Sequence, residues 1–176
     1  MYALDETSIS VESDNRRSWS PVGGPPILVK NGCKKGVNIV GSTCILNNFH
    51  TVNDVYNAKK SITNVEIQAH LEHLLDLNPQ KKVVVFMDNA PTHKSAKIQE
   101  FYQKNKDILE VILLPRYSPY MNPQENVWHY LKEKLFRPSD RGSIVELIQD
   151  TEALFIELNS RPGKIHSFAY ARSFLI

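Results

Sequence analysis

The sequence predicts an α/β domain built on one mixed β-sheet, with helices on both faces of the sheet. Two observations lead to this prediction. Three strand-like segments follow one another at the start of the chain, and two mainly apolar strand-like segments come later, each after a helix-like segment. The length of 176 residues fits one ordinary domain. We therefore expect a single domain that spans residues 1–176.

The leading strands are predicted at residues 2–11, 36–46 and 49–55. The first of them alternates between apolar and polar residues, as a strand does. The short gap at Asn47 and Asn48 suggests a hairpin between the second and third strands. Since no helix separates the three strands, we expect an antiparallel meander.

The later strands are predicted at residues 83–87 and 109–114. Residues 83–87 are a continuous apolar run, which is typical of a strand buried on both faces. A helix precedes the first of these strands. Its inward face has apolar residues at helical spacing, namely Ile67, Leu71, Leu74 and Leu75. A second helix, opened by Thr92 or Ser95, connects the two strands. Strands joined by crossover helices pair in parallel.

A proline-rich loop at residues 115–123 leads into two more predicted helices. The first carries an apolar stripe that includes Trp128, which we therefore expect in the core. The second begins at Ser143, which forms a capping-box pattern with Glu146. Three antiparallel strands followed by alternating helices and strands form the ribonuclease-H-like arrangement, although this order alone fits several α/β folds.

The composition excludes several classes of protein. No apolar run approaches the ~18 residues that span a bilayer. Asp5 and Glu6 interrupt the first ten residues, where a secretory signal needs an apolar stretch. The two cysteines, Cys33 and Cys44, are too few for a disulfide scaffold or a four-cysteine zinc site. We therefore expect a cytoplasmic protein.

The charge distribution suggests a surface that contacts phosphate groups. The chain carries 21 Lys and Arg against 19 Asp and Glu, which gives a net charge of +2. No acidic residue lies between Asp14 and Asp54. This stretch holds basic residues at Arg16, Arg17, Lys30, Lys34 and Lys35. It is also rich in glycine and proline, so a solvated loop with ordinary basic side chains is the alternative. A second basic cluster follows, at Lys132, Lys134, Arg137 and Arg141.

Three acidic residues stand out by their positions. Asp5 interrupts a strand-like segment, Asp88 ends a buried strand, and Glu125 lies in the first turn of a helix. If the strands of Asp5 and Asp88 are neighbours, their carboxylates meet at one edge of the sheet, and the helix can bring Glu125 to the same place. Converging carboxylates repel one another unless a cation binds. Oxygen ligands favour Mg²⁺ or Mn²⁺ over zinc.

Each of these acids also has a purely structural interpretation. Asp88 fits a turn former or a helix cap, and Asp5 fits a residue on an exposed strand face. Glu125 follows Asn122 by three positions, so its side chain can return to the Asn122 amide and cap its own helix. Position alone leaves both interpretations open for each residue.

The residues around the acids form three motifs: LDET at residues 4–7, MDNAPTHKS at residues 87–95, and LPRYSPYMNPQENVW at residues 114–128. Together they resemble the catalytic domain of DDE transposases of the mariner-like superfamily, in the branch formed by bacterial and archaeal insertion sequences. The motifs occur in that family's order, and the resemblance extends from Asp5 to about Leu135. The second and third motifs are long and specific, whereas the first is short.

The resemblance implies a ribonuclease-H-like fold and a catalytic triad of Asp5, Asp88 and Glu125 that binds two Mg²⁺ or Mn²⁺ ions. The implied reaction is DNA strand cleavage and strand transfer during transposition of an insertion sequence. The implied partners are the DNA of the element ends, the target DNA and a second copy of the chain in a homodimer. The enzyme is expected in a prokaryotic cytoplasm, associated with the nucleoid when active.

Three further residues are assigned from the same motifs. Asn89 and His93 are expected as neighbours of the active site, because both follow Asp88 closely in the second motif. Arg116 lies in the proline-rich loop before Glu125 and is expected to contact the DNA backbone. The five basic residues of the acid-free stretch are the other candidates for backbone contact.

The sequence departs from the family in one respect. Such transposases usually carry helix-turn-helix modules before the catalytic domain, and here only four residues precede Asp5. We therefore expect a chain without that module, either truncated or encoded by the second reading frame of a split element. Two other functions stay open: a resolvase or ribonuclease that only hydrolyses, and a non-catalytic remnant that binds DNA or a partner transposase.

Overall fold

The structure is a computed structural model that describes residues 1–12, 19–24, 27, 29, 32–46, 48–116, 118–136 and 141–169. Within these residues, one sheet contains five strands: β1 (Tyr2–Ser10), β2 (Gly36–Cys44), β3 (Thr51–Asn57), β4 (Val83–Met87) and β5 (Leu109–Leu113). Their order across the sheet is β3-β2-β1-β4-β5. The first three strands pair antiparallel, whereas β4 pairs in parallel with β1 and with β5. The predicted mixed sheet is confirmed.

The helices of the described ranges are α1 (Asn64–Asp76), α2 (Ala96–Lys104), α3 (Gln124–Lys134), α4 (Ile144–Asn159) and α5 (Pro162–Ala169). Two short 3₁₀ helices, Pro91–Lys94 and Pro119–Met121, precede α2 and α3. The hydroxyl of Ser143 accepts a hydrogen bond from the Glu146 amide, as the capping pattern predicts. The sequence did not predict α5. No helix in these ranges is both long and apolar enough to cross a membrane.

Each face of the sheet has its own apolar core. On one face, Leu4 and Met87 pack with Leu71 and other residues of α1 and α2. On the opposite face, Ile39 packs with Trp128 and other residues of α3, α4 and α5. Helices therefore cover both faces, and Trp128 lies in the core as predicted.

The register of the two central strands brings two of the predicted acids side by side. Ala3 of β1 pairs with Phe86 of β4, so the same register places Asp5 level with Asp88. β4 ends just before Asp88, while β1 continues to Ser10 along β2. The carboxyl end of β4 therefore forms a step in the sheet, and both acids lie at this step.

Arg141 corrects the prediction of a basic cluster after Trp128. Its side chain is only 2% exposed. Its guanidinium donates to Asp150 Oδ2 from Nε at 3.1 Å and from Nη2 at 2.8 Å, and Nη1 donates to the Leu135 carbonyl at 3.0 Å. Arg141 thus joins the end of α3 to α4, and Arg137 lies outside the described residues.

Candidate active site

A cavity of about 490 Å³ opens at the step in the sheet. Its walls include Asp5 from β1, Asp88 from the loop after β4, and Glu125 from the first turn of α3. Asn89 also lines this cavity. The fold therefore brings the three acids that stand out in the sequence, from three separate elements, to one cavity.

Asp5 is partly buried between the sheet and α3. The indole Nε1 of Trp128 donates a hydrogen bond to Asp5 Oδ2 at 3.0 Å. Burial raises the pKa of the Asp5 carboxyl to about 7, and repulsion from Glu125 and then Glu6 adds to the rise. The site therefore disfavours a negative charge on Asp5 unless a cation is near.

Trp128 reaches Asp5 because of a glycine on the neighbouring strand. Gly41 of β2 is the residue that pairs with Asp5. A Cβ atom added at Gly41 would overlap the Trp128 ring and the Asn53 side-chain oxygen. The missing side chain at Gly41 thus makes room for the indole above β2.

Asp88 both forms a turn and lines the cavity, so the two interpretations of this residue hold together. Its Oδ1 accepts a hydrogen bond from the Ala90 amide at 2.9 Å, which is a turn-forming contact. The same oxygen lies 2.9 Å from His93 Nδ1. The side chain remains 54% exposed, because it faces the cavity.

Asn122 ties the start of α3 to β1. Its Nδ2 donates to the Leu4 carbonyl at 2.9 Å, one residue before Asp5. Its Oδ1 accepts from the Gln124 amide at 3.1 Å, one residue before Glu125. A single side chain therefore fixes the backbone next to two of the three acids.

Glu125 does not adopt the capping contact that its spacing allows. The Asn122 amide donates instead to the Pro119 carbonyl at 2.9 Å, and the side chain that caps the first turn of α3 is that of Asn122, through its contact with the Gln124 amide. The neighbouring Gln124 is fully buried and accepts a hydrogen bond from Thr43 Oγ1 at 2.6 Å. Gln124 therefore anchors the first turn of α3 to β2, while the Glu125 carboxylate faces the cavity.

His93 is a fully buried side chain directly behind Asp88. Its Nε2 lies 3.0 Å from Glu6 Oε1, and its Nδ1 lies 3.1 Å from the Asp88 carbonyl. Burial opposes protonation, but the hydrogen bond and charge of Glu6, followed by Asp88, raise the pKa of His93 to about 9. The sequence analysis missed Glu6, and the only available signal was its place beside Asp5 in the first motif.

A family model described as DDE superfamily endonuclease matches residues 1–147. The chain belongs to this family. Membership confirms the family resemblance of the three motifs.

Relatives and solved structures agree with this membership. A Shigella sonnei protein, the insertion element IS630 uncharacterized 39 kDa protein, is 28% identical over 89 residues, which cover 51% of this chain and 26% of that protein. The mariner Mos1 paired end complex with Mg has a TM-score of 0.70 at 17% identity, covering 96% of this chain and 52% of that chain. The Mos1 catalytic domain has a TM-score of 0.63 at 15% identity, covering 96% of this chain and 76% of that chain. The predicted ribonuclease-H-like fold is confirmed.

This member of the DDE superfamily spans only part of those proteins. It covers about a quarter of the curated relative and about half of the Mos1 chains in the DNA complexes. The likeness to Mos1, at 15–17% identity, concerns the fold.

The oxygen atoms of the residues that line the cavity are suitable ligands for a hard divalent cation. The three carboxylates offer only oxygen atoms, and the buried Oδ1 of Asn89 has no hydrogen-bond partner in the described part of the chain. In this conformation, no three His, Cys, Asp or Glu side chains among those residues are placed to hold a metal ion. Without a cation, the three carboxylates repel one another, which keeps them apart. Binding of a cation would require them to move closer together.

Arg116 is the predicted DNA-contact residue that lies at this cavity. Its side chain lies on the wall that also carries Pro115 and Pro119. Three other predicted contacts, Arg16, Arg17 and Lys30, lie outside the described residues.

Lys34 and Lys35 lie away from the cavity. Both are exposed and line a smaller cavity of about 270 Å³ together with Lys59. The Lys35 carbonyl accepts from the Val11 amide at 2.8 Å, just past the end of β1. Val11 follows Asp5 by six positions along the chain, which corresponds to roughly 20 Å in a strand.

Proposed function

We propose that this chain is the catalytic domain of an insertion-sequence transposase, which cleaves DNA at the ends of the element and joins the freed 3′-hydroxyl to target DNA. One observation carries the proposal: acids from three separate elements line one cavity at the carboxyl end of β4. Family membership supports endonuclease chemistry. The similar Mos1 structures include a complex with a transposon end, which supports DNA as the substrate.

Asp5, Asp88 and Glu125 are the proposed ligands of two Mg²⁺ or Mn²⁺ ions. Bound there, the ions would activate the attacking oxygen, which comes from water in cleavage and from the 3′-hydroxyl in strand transfer, and would stabilise the leaving oxygen of the phosphodiester. The raised pKa of Asp5 supports this assignment, because a cation would relieve the repulsion from Glu125. Mos1 complexes with Mg and with Mn support the choice of metal.

Other residues of the chain position these ligands and the DNA. Trp128 holds Asp5 through the indole N–H, and Asn122 fixes the backbone beside Asp5 and Glu125. Arg116 lines the cavity, and the fork of donors on a guanidinium suits a phosphate group. Positioning and charge neutralisation are the main contributions of a protein to phosphoryl transfer.

The decisive variant is Asp88→Asn. We expect nicking of a supercoiled plasmid that carries the element ends, in Mg²⁺ or Mn²⁺, to fall by at least about 100-fold, because one metal ligand is lost. DNA binding should be retained or slightly tighter, since one negative charge is removed. Asp107→Asn is the matched control, because Asp107 is exposed and precedes β5, at the amino end of the parallel strands, whereas Asp88 lies at their carboxyl end. Undiminished cleavage by Asp88→Asn would remove Asp88 from the metal site.

A strand-transfer assay separates a transposase from a nuclease that only hydrolyses. The substrate is a pre-cleaved element end with a free 3′-hydroxyl, mixed with a plasmid target. We expect a joined product. Hydrolysis without joining would support a resolvase-like or ribonuclease-like enzyme instead, and DNA binding without either reaction would support a non-catalytic remnant.

DNA binding by the chain is proposed to depend on phosphate contacts from Arg116, Lys34 and Lys35. Such contacts release counterions and carry no base information. Affinity should therefore fall steeply with salt and differ little between element ends and scrambled duplexes. Arg116→Gln should reduce the salt slope by about one, whereas Lys106→Gln, near the start of β5, should leave it unchanged. A specificity ratio of about a thousand or more would show base readout by the chain itself.

The active complex is proposed to be a homodimer that forms in the cytoplasm at the nucleoid. Transposition joins two element ends, so two catalytic sites acting together suit the reaction. Light scattering of the chain with short element-end duplexes should give the mass of two chains and two duplexes. A mass of one chain and one duplex would contradict the dimer.

A further inference from the structure

We propose that Glu6 is a positioning residue for the cleavage site, which acts through the buried imidazole of His93 to hold the carboxylate of Asp88. The inference rests on the proposed function, in which Asp88 binds a divalent ion. Neither Glu6 nor His93 lines the cavity. Their influence on a bound ion must therefore pass through Asp88.

The contacts form a continuous chain from β1 to the cavity. Glu6 Oε1 lies 3.0 Å from His93 Nε2, and His93 Nδ1 lies 2.9 Å from Asp88 Oδ1 and 3.1 Å from the Asp88 carbonyl. Both ring nitrogens face oxygen atoms that accept hydrogen bonds. The imidazole can therefore donate to Glu6 and to Asp88 at the same time when both nitrogens carry a proton.

The fold sets the position of His93 independently of the cavity. Glu6 lies on the part of β1 that extends past the end of β4, so that edge of β1 is free to receive the imidazole. The His93 carbonyl accepts hydrogen bonds from Gln99 Nε2 at 3.3 Å and from the Tyr102 hydroxyl at 3.4 Å, both on α2. The histidine is thus held by the sheet and by α2, and Asp88 is held by the histidine.

A carboxylate in the loop after a strand needs such support to keep one orientation. The Ala90 amide and His93 both bind Oδ1 of Asp88. Within the described residues, no hydrogen bond reaches Asp88 Oδ2, which leaves that oxygen for a ligand in the cavity. Hydrogen-bonding partners behind metal ligands typically change metal affinity by about 10–100-fold when removed.

Positioning and simple electrostatics predict different results for substitutions at Glu6. Glu6→Ala and Glu6→Gln remove the same negative charge, but the glutamine amide can still hydrogen-bond to the imidazole in either protonation state. Positioning therefore predicts that only Glu6→Ala weakens metal binding strongly. Electrostatics predicts equal losses for both variants.

A substitution at His93 tests the same point without changing a carboxylate. His93→Phe preserves the ring shape and removes the Nδ1 donor to Asp88. Positioning predicts weaker metal binding, because Asp88 loses its support. Electrostatics predicts unchanged or tighter binding, because no negative charge is removed from the site.

The experiment measures Mn²⁺ affinity of the DNA-free chain by the electron paramagnetic resonance signal of free Mn²⁺. We expect about 10–100-fold weaker binding in Glu6→Ala and His93→Phe, and Glu6→Gln within about threefold of the wild type. His70→Phe is the matched control, because His70 is equally buried and bonded to a carboxylate, Asp54, away from the cavity. Its Mn²⁺ affinity should equal that of the wild type.

Folding of each variant is checked by circular dichroism and thermal unfolding. Glu6 is 22% exposed and Asp88 is 54% exposed, so water can satisfy their oxygens when the imidazole is removed. Equal losses in Glu6→Gln and Glu6→Ala, or unchanged or tighter binding in His93→Phe, would overturn the positioning role. If Asp88→Asn still loses Mn²⁺ in that case, the proposed function stands. If Asp88→Asn binds Mn²⁺ as the wild type does, both proposals fail.

Discussion

Asp5 and Asp54 lie in the same sheet, on β1 and β3, with β2 between them, yet their surroundings shift the two carboxyl pKa values in opposite directions. Burial and repulsion from Glu125 raise the pKa of Asp5 to about 7. Burial also opposes ionisation of Asp54, but the hydrogen bond and charge of His70, followed by His73, outweigh it and lower the pKa. His70 Nδ1 lies 2.5 Å from Asp54 Oδ2, and His73 Nδ1 lies 3.2 Å from Oδ1.

This difference distinguishes a structural carboxylate from a functional one. Asp54 finds its hydrogen-bonding partners, His70 and His73, within the fold. The chain of contacts continues to Ser42 Oγ, 2.8 Å from His70 Nε2. Ser42 and His70 are fully buried, so this Ser–His–Asp arrangement is closed to any substrate. Asp5 has other carboxylates as neighbours and faces a cavity, so its countercharge must come from outside.

The largest expected effect separates the two aspartates by activity. Asp5→Asn should reduce metal-dependent DNA nicking by at least about 100-fold, because a proposed metal ligand is lost. It should leave the metal-free protein as stable as the wild type or more stable, because a disfavoured charge is removed. Asp54→Asn should show the reverse: nicking close to that of the wild type, and a free energy of unfolding lower by about 1–3 kcal/mol.

Nicking assays and urea unfolding of both variants check this pair of expectations. Activity is compared at a temperature at which each variant is folded, so that the lower stability of Asp54→Asn does not reduce nicking. Loss of nicking in both variants, or in neither, would break the contrast between the two sites.

The positions of the strands along the chain were predictable from the sequence because each strand carries a local signal. Residues 83–87 are a continuous apolar run, residues 109–113 are apolar except for Glu110, and Asp88 and Glu125 stand at the end of a strand and the start of a helix. The turn after Asp88 and the start of the helix that carries Glu125 depend on residues close by in the chain, so a local sequence pattern can predict them. α5 was missed because it is a short segment of eight residues.

Contacts between distant segments could not be predicted in this way. Glu6 reads as an ordinary polar residue of a strand, and its contact with His93 depends on β1 extending past β4. Trp128 was correctly placed in the core, but its hydrogen bond to Asp5 spans the sheet and a helix. Arg141 reads as a surface charge, since nothing nearby in the sequence shows that Asp150 and the end of α3 enclose it.

The stability of the metal-free protein should depend on pH in opposite ways through Asp5 and Asp54. Because the folded protein holds the Asp5 proton up to about pH 7 and the unfolded chain releases it near pH 3.8, stability falls as pH rises between these values. The full effect is at most about 4 kcal/mol. The lowered pKa of Asp54 gives the opposite sign: its contribution is present above pH 3.8 and is lost as pH falls below it.

Urea unfolding in EDTA from pH 3 to pH 8 tests both pH dependences. The free energy of unfolding of each variant is subtracted from that of the wild type, so that the contributions of the other titrating groups cancel. Wild-type stability minus that of Asp5→Asn should fall between pH 4.5 and pH 7.5, and Mn²⁺ at pH 7.5 should stabilise the wild type more than the variant. Wild-type stability minus that of Asp54→Asn should shrink at the acidic end. Parallel curves for the wild type and Asp5→Asn would show that Asp5 has no raised pKa.

The smallest expected effects come from two adjacent residues of β2 that support the two aspartates from opposite faces. Gly41→Ala places a methyl group against the Trp128 ring, so the indole must shift away from Asp5. We expect a loss of about 1–3 kcal/mol in stability from overpacking, with nicking reduced by about 10-fold. Ser42→Ala removes the hydroxyl that bonds to His70, which should cost about 1 kcal/mol and leave nicking unchanged. If Ser42→Ala reduced nicking as much as Gly41→Ala, general loosening of β2 would explain both variants, and the separate support of Asp5 by Trp128 would be refuted.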